Sequence, residues 1–285
     1  METERVTRVG KNVRAFYETY SFPGYEACET GADLVQKAKQ SRYADLLDAQ
    51  LPLGVTILEV GCGTGQLSAF LSMTHRTVVG IDFSFHSLQH GHRFSQACRL
   101  QDVHFAQMDL FDLGFRDGVF DYVVCSGVLH HTADAAEGFQ RLCRILKPGG
   151  CVIVGLYNAY GRAMTRLWSR IFRLTGGRGA WHDRVLRRHR LDEDKRRIWL
   201  MDQYYHPHEQ VFTVDDVLTW FARNDIEYLN SIAKISLSDP LTAAEQLWEP
   251  HDPGTSFDHL LSQLKWVFTA AEEGGLFLTI GRKRS

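Results

Sequence analysis

Three glycines at alternate positions mark the first segment of this chain that could do chemistry. Gly61, Gly63 and Gly65 follow the short apolar run Val55–Val60 and precede a helical pattern. Glycine permits a tight turn and a close backbone approach to a ligand at the carboxyl end of a strand. Asp82 comes about 20 residues later, where a carboxylate can accept hydrogen bonds from both hydroxyls of a ribose. The spacing therefore predicts a nucleotide site.

Alternating strands and helices must position this turn. Apolar runs predict strands at 55–60, 77–81, 103–107, 120–126, 151–156, 226–232 and 275–282. Helical spacing predicts helices at 12–20, 32–50, 66–73, 87–101, 135–146, 213–223 and 257–272, with Thr213 as the N-cap of the sixth. Strands separated by helices form a parallel sheet that is covered on both faces.

Five motifs occur in a fixed order along this pattern: residues 57–67, 79–84, 107–110, 120–131 and 146–150. Gln66 occupies the position where a dinucleotide fingerprint has its last glycine. Together the motifs resemble those of the class I S-adenosylmethionine (SAM)-dependent methyltransferases, of the bacterial small-molecule type with helical cap insertions. The resemblance implies an enzyme with SAM as cofactor and S-adenosylhomocysteine as product. It also implies an α/β fold, a Rossmann-like doubly wound sheet of seven mainly parallel strands with a helical cap.

The resemblance also implies a set of cofactor-binding residues. Gly61, Gly63 and Gly65 would pass under the methionine part and the ribose, and Glu59 would steady the turn or the ammonium. Asp82 would hold the ribose and Phe83 would lie against the adenine. The remaining implied cofactor contacts are Cys62, Asp109, Leu110, Ser126, Val128 and, from the aromatic N-terminal segment, Tyr17.

The acceptor of the methyl group is poorly encoded, because alignment and exclusion of water supply most of the catalysis. No Asn/Asp-Pro-Pro-Tyr/Phe motif follows the fourth strand, and no Pro-Cys pair suggests a nucleophilic cysteine. A small acceptor, neutral or anionic, with an oxygen, nitrogen, sulfur or carbon nucleophile is the default.

Three side chains are candidates for catalysis: His131, His206 and Tyr204. Strand alternation favours His131 over His130 as the residue that faces the cleft. A capping or loop-packing role for these histidines is the structural alternative. The segment Met201–Glu209 forms a substrate pocket, a lid hinge or an exposed loop, and no metal is expected there, since its His and Glu residues lack a fixed ligand spacing.

A basic stretch at 162–197 carries twelve arginine and lysine residues against four acidic ones. Arg162, Arg166, Arg170 and Arg173 fall on one helical face. Three interpretations remain open: a collector for an anionic small substrate, a contact for nucleic acid, or a solvated lid or oligomer face. An RNA methyltransferase and a non-catalytic SAM-binding adaptor are therefore the alternatives to a small-molecule enzyme.

Composition limits the class of protein. The 285 residues are 44% hydrophobic, which is enough for a packed core, and the net charge of −2 does not mark a nucleic-acid binder. The six cysteines form no CxxC pair, no apolar run approaches 18 residues, and the N-terminus is polar. We expect a cytoplasmic protein without a transmembrane segment, and a homodimer is the oligomer considered. Its expected parts are a helical cover at 1–53, the SAM-binding core at 54–156, a basic lid at 157–210, and the rest of the core at 211–285 with a second helical insertion at 238–273.

Overall fold

A seven-stranded sheet forms the centre of the molecule in the computed structural model. The structure describes residues 2–19, 28–175, 200–201, 204–239, 242, 245–269 and 275–285. The strands are β1 (Thr56–Val60), β2 (Thr77–Asp82), β3 (Val103–Gln107), β4 (Phe120–Ser126), β5 (Leu146–Tyr157), β6 (Ile226–Ile232) and β7 (Leu276–Lys283). Their order in the sheet is β3-β2-β1-β4-β5-β7-β6, and β7 runs antiparallel to both of its neighbours. The mainly parallel, doubly wound sheet confirms the predicted fold class.

Helices cover both faces of this sheet. They are α1 (Glu2–Thr19), α2 (Gly31–Lys39), α3 (Arg42–Gln50), α4 (Gln66–Ser72), α5 (Phe85–Ala97), α6 (Ala135–Ile145), α7 (Ala163–Thr175), α8 (Val214–Arg223) and α9 (Ser256–Thr269). Two buried hydrophobic clusters, one on each face, form the core. No helix among the described residues is both long enough and apolar enough to cross a membrane.

Caps decide where several helices begin. The predicted N-cap Thr213 is confirmed, because it forms a capping box with Asp216. The prediction of one helix over 32–50 is wrong. Ser41 accepts a hydrogen bond from the backbone N–H of Ala44 and so starts α3 as a separate helix. The predicted helix at 12–20 is longer than expected, since α1 begins at Glu2.

The C-terminal end of α1 lies beside the end of β2. The backbone N–H of Phe85 donates to the Glu18 carboxylate at 3.2 Å, and the Ser84 hydroxyl donates to the carbonyl of Tyr17 at 3.5 Å. Ser84 is also the N-cap of α5. The first helix is therefore held where the second parallel strand meets its helix, and this contact brings Tyr17 to the carboxyl edge of the sheet.

Helix α9 belongs to the core as well as to the predicted second insertion. Trp266 is buried against Phe277 of β7, with ring centroids 5.7 Å apart. The side-chain oxygen of Gln263 accepts hydrogen bonds from the Asn158 side chain at 2.8 Å and from the Val214 N–H at 3.0 Å. The helix thus links the end of β5 to the start of α8.

A buried arginine joins α3 to β2. Arg76 is 2% exposed and pairs with the Asp48 carboxylate at 2.7 Å. Its guanidinium also donates to the carbonyls of Asp48, Leu51 and Pro52 at 2.7, 2.7 and 3.2 Å. All of these acceptors lie at the C-terminal end of α3 or just after it. The guanidinium therefore fixes this helix to the start of β2.

We predict that Arg76→Met lowers the free energy of unfolding by about 3–5 kcal/mol, because it leaves the Asp48 charge and three carbonyls without their partner. The matched control is Arg144→Met, which removes an exposed ion pair with Asp117 and should cost less than about 1 kcal/mol. Urea denaturation followed by circular dichroism measures both changes. Equal effects of the two substitutions would contradict the structural role of Arg76.

Candidate cofactor and acceptor site

The glycine turn between β1 and α4 adopts a conformation that only glycine takes easily. Gly61, Gly63 and Gly65 have φ angles of 66°, 55° and 73°, in the left-handed region that disfavours residues with a Cβ atom. A Cβ atom on Gly61 would lie 2.2 Å from Val128, and one on Gly65 would lie 2.2 Å from Phe105. These glycines therefore provide both the backbone shape and the space that the turn requires.

Asp82 connects this turn to α5. One carboxylate oxygen accepts the N–H of Gly63 at 2.9 Å, and the other accepts the N–H of Ser84 at 2.8 Å. Burial raises the pKa of Asp82, while these backbone hydrogen bonds oppose the shift. Each carboxylate oxygen has a second lone pair, so the residue can accept further hydrogen bonds from a ligand.

Glu59 is the second acidic group at this edge of the sheet. The Ser68 hydroxyl donates a hydrogen bond to its carboxylate. Burial raises the pKa of Glu59 from 4.5 to about 7, the Ser68 hydrogen bonds oppose that shift, and the Asp82 charge adds to it. Burial also raises the pKa of the neighbouring Cys62 thiol, which keeps it protonated. The two carboxylates provide acceptors for hydroxyl and ammonium groups, which is the chemistry a SAM-like ligand requires.

The other sequence-predicted cofactor residues lie along the same edge in different environments. Asp109 is exposed and accepts the N–H of Phe111 at 2.8 Å. Leu110 is buried in the core cluster on one face of the sheet. Ser126 and Val128 are partly buried at the end of β4. The ring of Phe83 lies 6.1 Å from that of Tyr17, which places the N-terminal aromatic beside the end of β2.

The histidine pair after β4 is not in a strand. Leu129–His131 form a 3₁₀ turn, and both histidines are buried. Strand alternation is therefore the wrong argument for choosing between them, because residues in a 3₁₀ turn do not alternate between two faces. His130 stacks on Tyr157 at 4.0 Å, and neither of its ring nitrogens has a hydrogen-bond partner.

Two of the three catalytic candidates come together in space. The rings of His131 and His206 lie 3.6 Å apart, and Tyr17 lies 6.4 Å from the first and 5.6 Å from the second. We call Tyr17, His131 and His206 the acceptor cluster. The third candidate, Tyr204, is buried with its ring edge-on to Phe172 of α7 at 4.7 Å.

Arg162 is the residue whose position the sequence argument mistook. The spacing predicts that it shares one helical face with Arg166, Arg170 and Arg173, yet it is fully buried just before α7. Its guanidinium donates two hydrogen bonds to the Glu209 carboxylate, at 3.1 and 2.6 Å, and lies 3.9 Å from the Tyr157 ring centroid. No local sequence signal predicts this pair, because the two partners come from distant parts of the chain.

Much of the basic stretch lies outside the described residues. Residues 176–199, which include the rest of this stretch, are not described. Tyr20, Phe22 and Tyr25 of the N-terminal aromatic segment, and Asp202 and Gln203 of the segment 201–209, also lie outside the described residues. Within the ranges that the structure does describe, no group of three His, Cys, Asp or Glu side chains is arranged to hold a metal. Glu209, one of the residues considered as a ligand, pairs with Arg162 instead.

Known proteins resemble this chain over its central part. Residues 58–154 match the family described as the methyltransferase domain. An uncharacterised protein of Synechococcus sp. is 29% identical over 78% of this chain and 60% of its own length. A demethylmenaquinone methyltransferase of Shouchella clausii is 29% identical over 42% of this chain and 52% of its own length. The chain thus spans little more than half the length of these relatives.

A solved structure supports the fold assignment over a larger part of the chain. PKMT2 from Rickettsia typhi, in complex with AdoHcy, has a TM-score of 0.58 at 17% identity, covering 86% of this chain and 53% of that one. At this identity the likeness concerns the fold. Taken with the family match and the glycine turn, it identifies residues 58–154 as a methyltransferase domain within a fold of the class I SAM-dependent type.

Proposed function

We propose that this protein transfers the methyl group of SAM to a small-molecule acceptor that binds against the acceptor cluster. The observation that carries the proposal is the position of Tyr17. Its ring lies 6.1 Å from that of Phe83, which follows the ribose-binding candidate Asp82, and 6.4 and 5.6 Å from the His131 and His206 rings. A ligand held at the glycine turn and a ligand held at the histidines would therefore be neighbours, as methyl transfer requires.

In this proposal the cofactor is held by residues at the carboxyl edge of the sheet. Asp82 accepts hydrogen bonds from the ribose hydroxyls, Glu59 attracts the methionine ammonium, and Phe83 packs on the adenine. SAM supplies an activated methyl group on a sulfonium centre. The ring of Tyr17 would stabilise the positive charge of the sulfonium, since aromatic faces attract cations. The remaining contacts proposed for the cofactor are Gly61, Cys62, Gly63, Gly65, Asp109, Leu110, Ser126 and Val128.

The charges around the acceptor cluster support a neutral acceptor. Burial lowers the pKa of His131 well below its usual value and lowers the pKa of His206 to about 4, so both rings are neutral at pH 7. Arg162, whose charge acts on both histidines, already pairs with Glu209. The relative named for demethylmenaquinone supports a small molecule as the acceptor class. Six unpaired cysteines support a reaction in the cytoplasm.

The acceptor class can be tested with SAM that carries a deuterated methyl group. The protein is incubated with this SAM and either a filtered extract of bacterial small molecules or purified RNA, and mass spectrometry follows the label. We expect label in the small-molecule extract, and expect His131→Gln to reduce it more than the exposed control His104→Gln does. Label in RNA would favour the RNA methyltransferase, and bound SAM without transfer to either would favour the adaptor.

We predict that Asp82→Asn weakens S-adenosylhomocysteine binding by about 10- to 150-fold. The substitution removes a buried carboxylate whose hydrogen bonds are each worth about 1.5–3 kcal/mol. Calorimetry measures the dissociation constant. The control is Asp117→Asn, at an exposed position. Unchanged affinity in Asp82→Asn would contradict the ribose assignment.

We also predict that S-adenosylhomocysteine binds about tenfold more weakly at pH 6 than at pH 8. Glu59, with its pKa raised to about 7, is largely protonated at the lower pH, whereas the ligand's ammonium favours the carboxylate. Binding must then displace a proton, and affinity falls about tenfold per pH unit well below the pKa. In Glu59→Gln the affinity should be weaker and nearly independent of pH over this range. A pH dependence that persists in this variant would assign the titration to another group.

A further inference from the structure

One peptide segment contacts both histidines of the acceptor cluster. The carbonyl oxygen of His208 lies 2.9 Å from Nδ1 of His131, and the backbone N–H of His208 donates to Nδ1 of His206 at 3.2 Å. A single residue thus presents its acceptor to one ring and its donor to the other. The two contacts impose opposite requirements on two imidazoles whose ring centroids lie 3.6 Å apart.

The carbonyl fixes the tautomer of His131. A carbonyl oxygen only accepts hydrogen bonds, so Nδ1 of His131 must carry the proton. In a neutral ring Nε2 is then unprotonated and offers a lone pair. Among the described residues no hydrogen bond occupies this Nε2, so His131 presents an acceptor to whatever binds at the cluster.

The N–H group fixes the opposite tautomer of His206. A backbone N–H only donates, so Nδ1 of His206 must be unprotonated and Nε2 must carry the proton. This Nε2 is buried and has no hydrogen-bond partner. A buried donor without a partner costs about 1–3 kcal/mol, which a ligand oxygen at this position would recover.

Burial keeps both rings in the neutral form in which these tautomers exist. Burial is the largest cause that lowers the pKa of His131 and of His206, and the positive charge of Arg162 lowers both further. A doubly protonated ring would place an N–H of His206 against the N–H of His208. The geometry at His208 and the environment of the rings therefore favour the same state.

We propose that the His208 main chain sets His131 as the proton acceptor and His206 as the hydrogen-bond donor for a hydroxyl group, and that the protein therefore methylates oxygen. This proposal rests on the proposed function and names the atom that is methylated. The hydroxyl donates its proton toward Nε2 of His131 and accepts the N–H of His206 Nε2. His208 acts as a positioning residue, because it orients the two rings through its backbone.

Oxygen fits this pair better than nitrogen does. A hydroxyl oxygen has two lone pairs, so one can accept from His206 while the other attacks the methyl carbon. A neutral amine has one lone pair, and a hydrogen bond from His206 would occupy the electrons that the attack requires. A thiol is only a weak acceptor of the His206 hydrogen bond. The donor of His206 thus selects against amines and thiols.

The transfer is balanced without any further reactant. The free lone pair of the hydroxyl oxygen forms the new C–O bond, the C–S bond breaks, and its electron pair remains on sulfur. The hydroxyl proton passes to Nε2 of His131 and later leaves to water. A protonated ether is a far stronger acid than imidazolium, so a histidine with a lowered pKa still accepts this proton.

The tautomers can be measured directly by NMR on protein labelled with ¹⁵N-histidine, with S-adenosylhomocysteine added. Long-range ¹H–¹⁵N spectra distinguish the two neutral tautomers and the cation, and His131→Gln and His206→Gln assign the signals. We expect His131 protonated on Nδ1 and His206 protonated on Nε2 at pH 7. The same tautomer in both rings, or a cationic ring, would overturn the proposal.

Phenol and aniline then test the choice of oxygen. Phenol, added up to its solubility limit, should shift the Nε2 signals of both histidines and should take label from deuterated SAM, whereas aniline should take no label, because its lone pair would be held by His206. Methylation of aniline at the same rate as phenol, or no shift with phenol, would overturn the oxygen assignment. Failure of the proposed function can be distinguished from failure of this proposal. If cofactor binding or label transfer is absent while the expected tautomers are observed, the proposed function is wrong.

Discussion

The carboxylate of Asp82 is the group on which the arrangement of the site depends. It ends β2, accepts the N–H of Gly63 in the glycine turn and accepts the N–H of Ser84 at the start of α5. Because Ser84 also donates to the carbonyl of Tyr17, the same junction holds the N-terminal helix. Burial of this charge is unfavourable, and the two backbone donors offset part of that cost. The glycine turn, the start of α5 and the Tyr17 end of α1 are thus all held at or next to the Asp82 carboxylate.

The sequence predicted those parts of the fold that depend on local pattern. The bounds of β3, β4 and β6 agree with the prediction to the residue, because β-branched, aromatic and other apolar residues recur within each of these short runs. The glycine turn was predictable for a similar reason. Gly61, Gly63 and Gly65 adopt left-handed φ angles. Glycine is almost the only residue that adopts this conformation without strain, so its spacing in the sequence predicts the turn.

The parts that were mistaken depend on contacts between distant segments or on a single competing side chain. Ser41 divides the predicted helix at 32–50, since its hydroxyl caps a new helix where the apolar spacing alone continues. Arg162 reads as one more arginine of an exposed helical face until Glu209 and Tyr157 are brought to it by the fold. The sequence offers no prediction of the His131 and His206 tautomers for a similar reason, because the His208 peptide reaches the His131 ring only in the folded chain.

In the proposed function, the acceptor cluster would select its ligand by hydrogen-bond pattern rather than by charge. The Glu209 carboxylate neutralises Arg162, and burial holds the histidines neutral. An anionic acceptor would therefore be desolvated beside the cluster without gaining a free cation among the described residues, which costs several kcal/mol. A neutral hydroxyl loses much less on desolvation, and it gains the unpartnered N–H of His206 and the free lone pair of His131. In this proposal the pairing of Arg162 with Glu209 does more than stabilise the fold, since it offsets a positive charge that would otherwise favour an anionic acceptor.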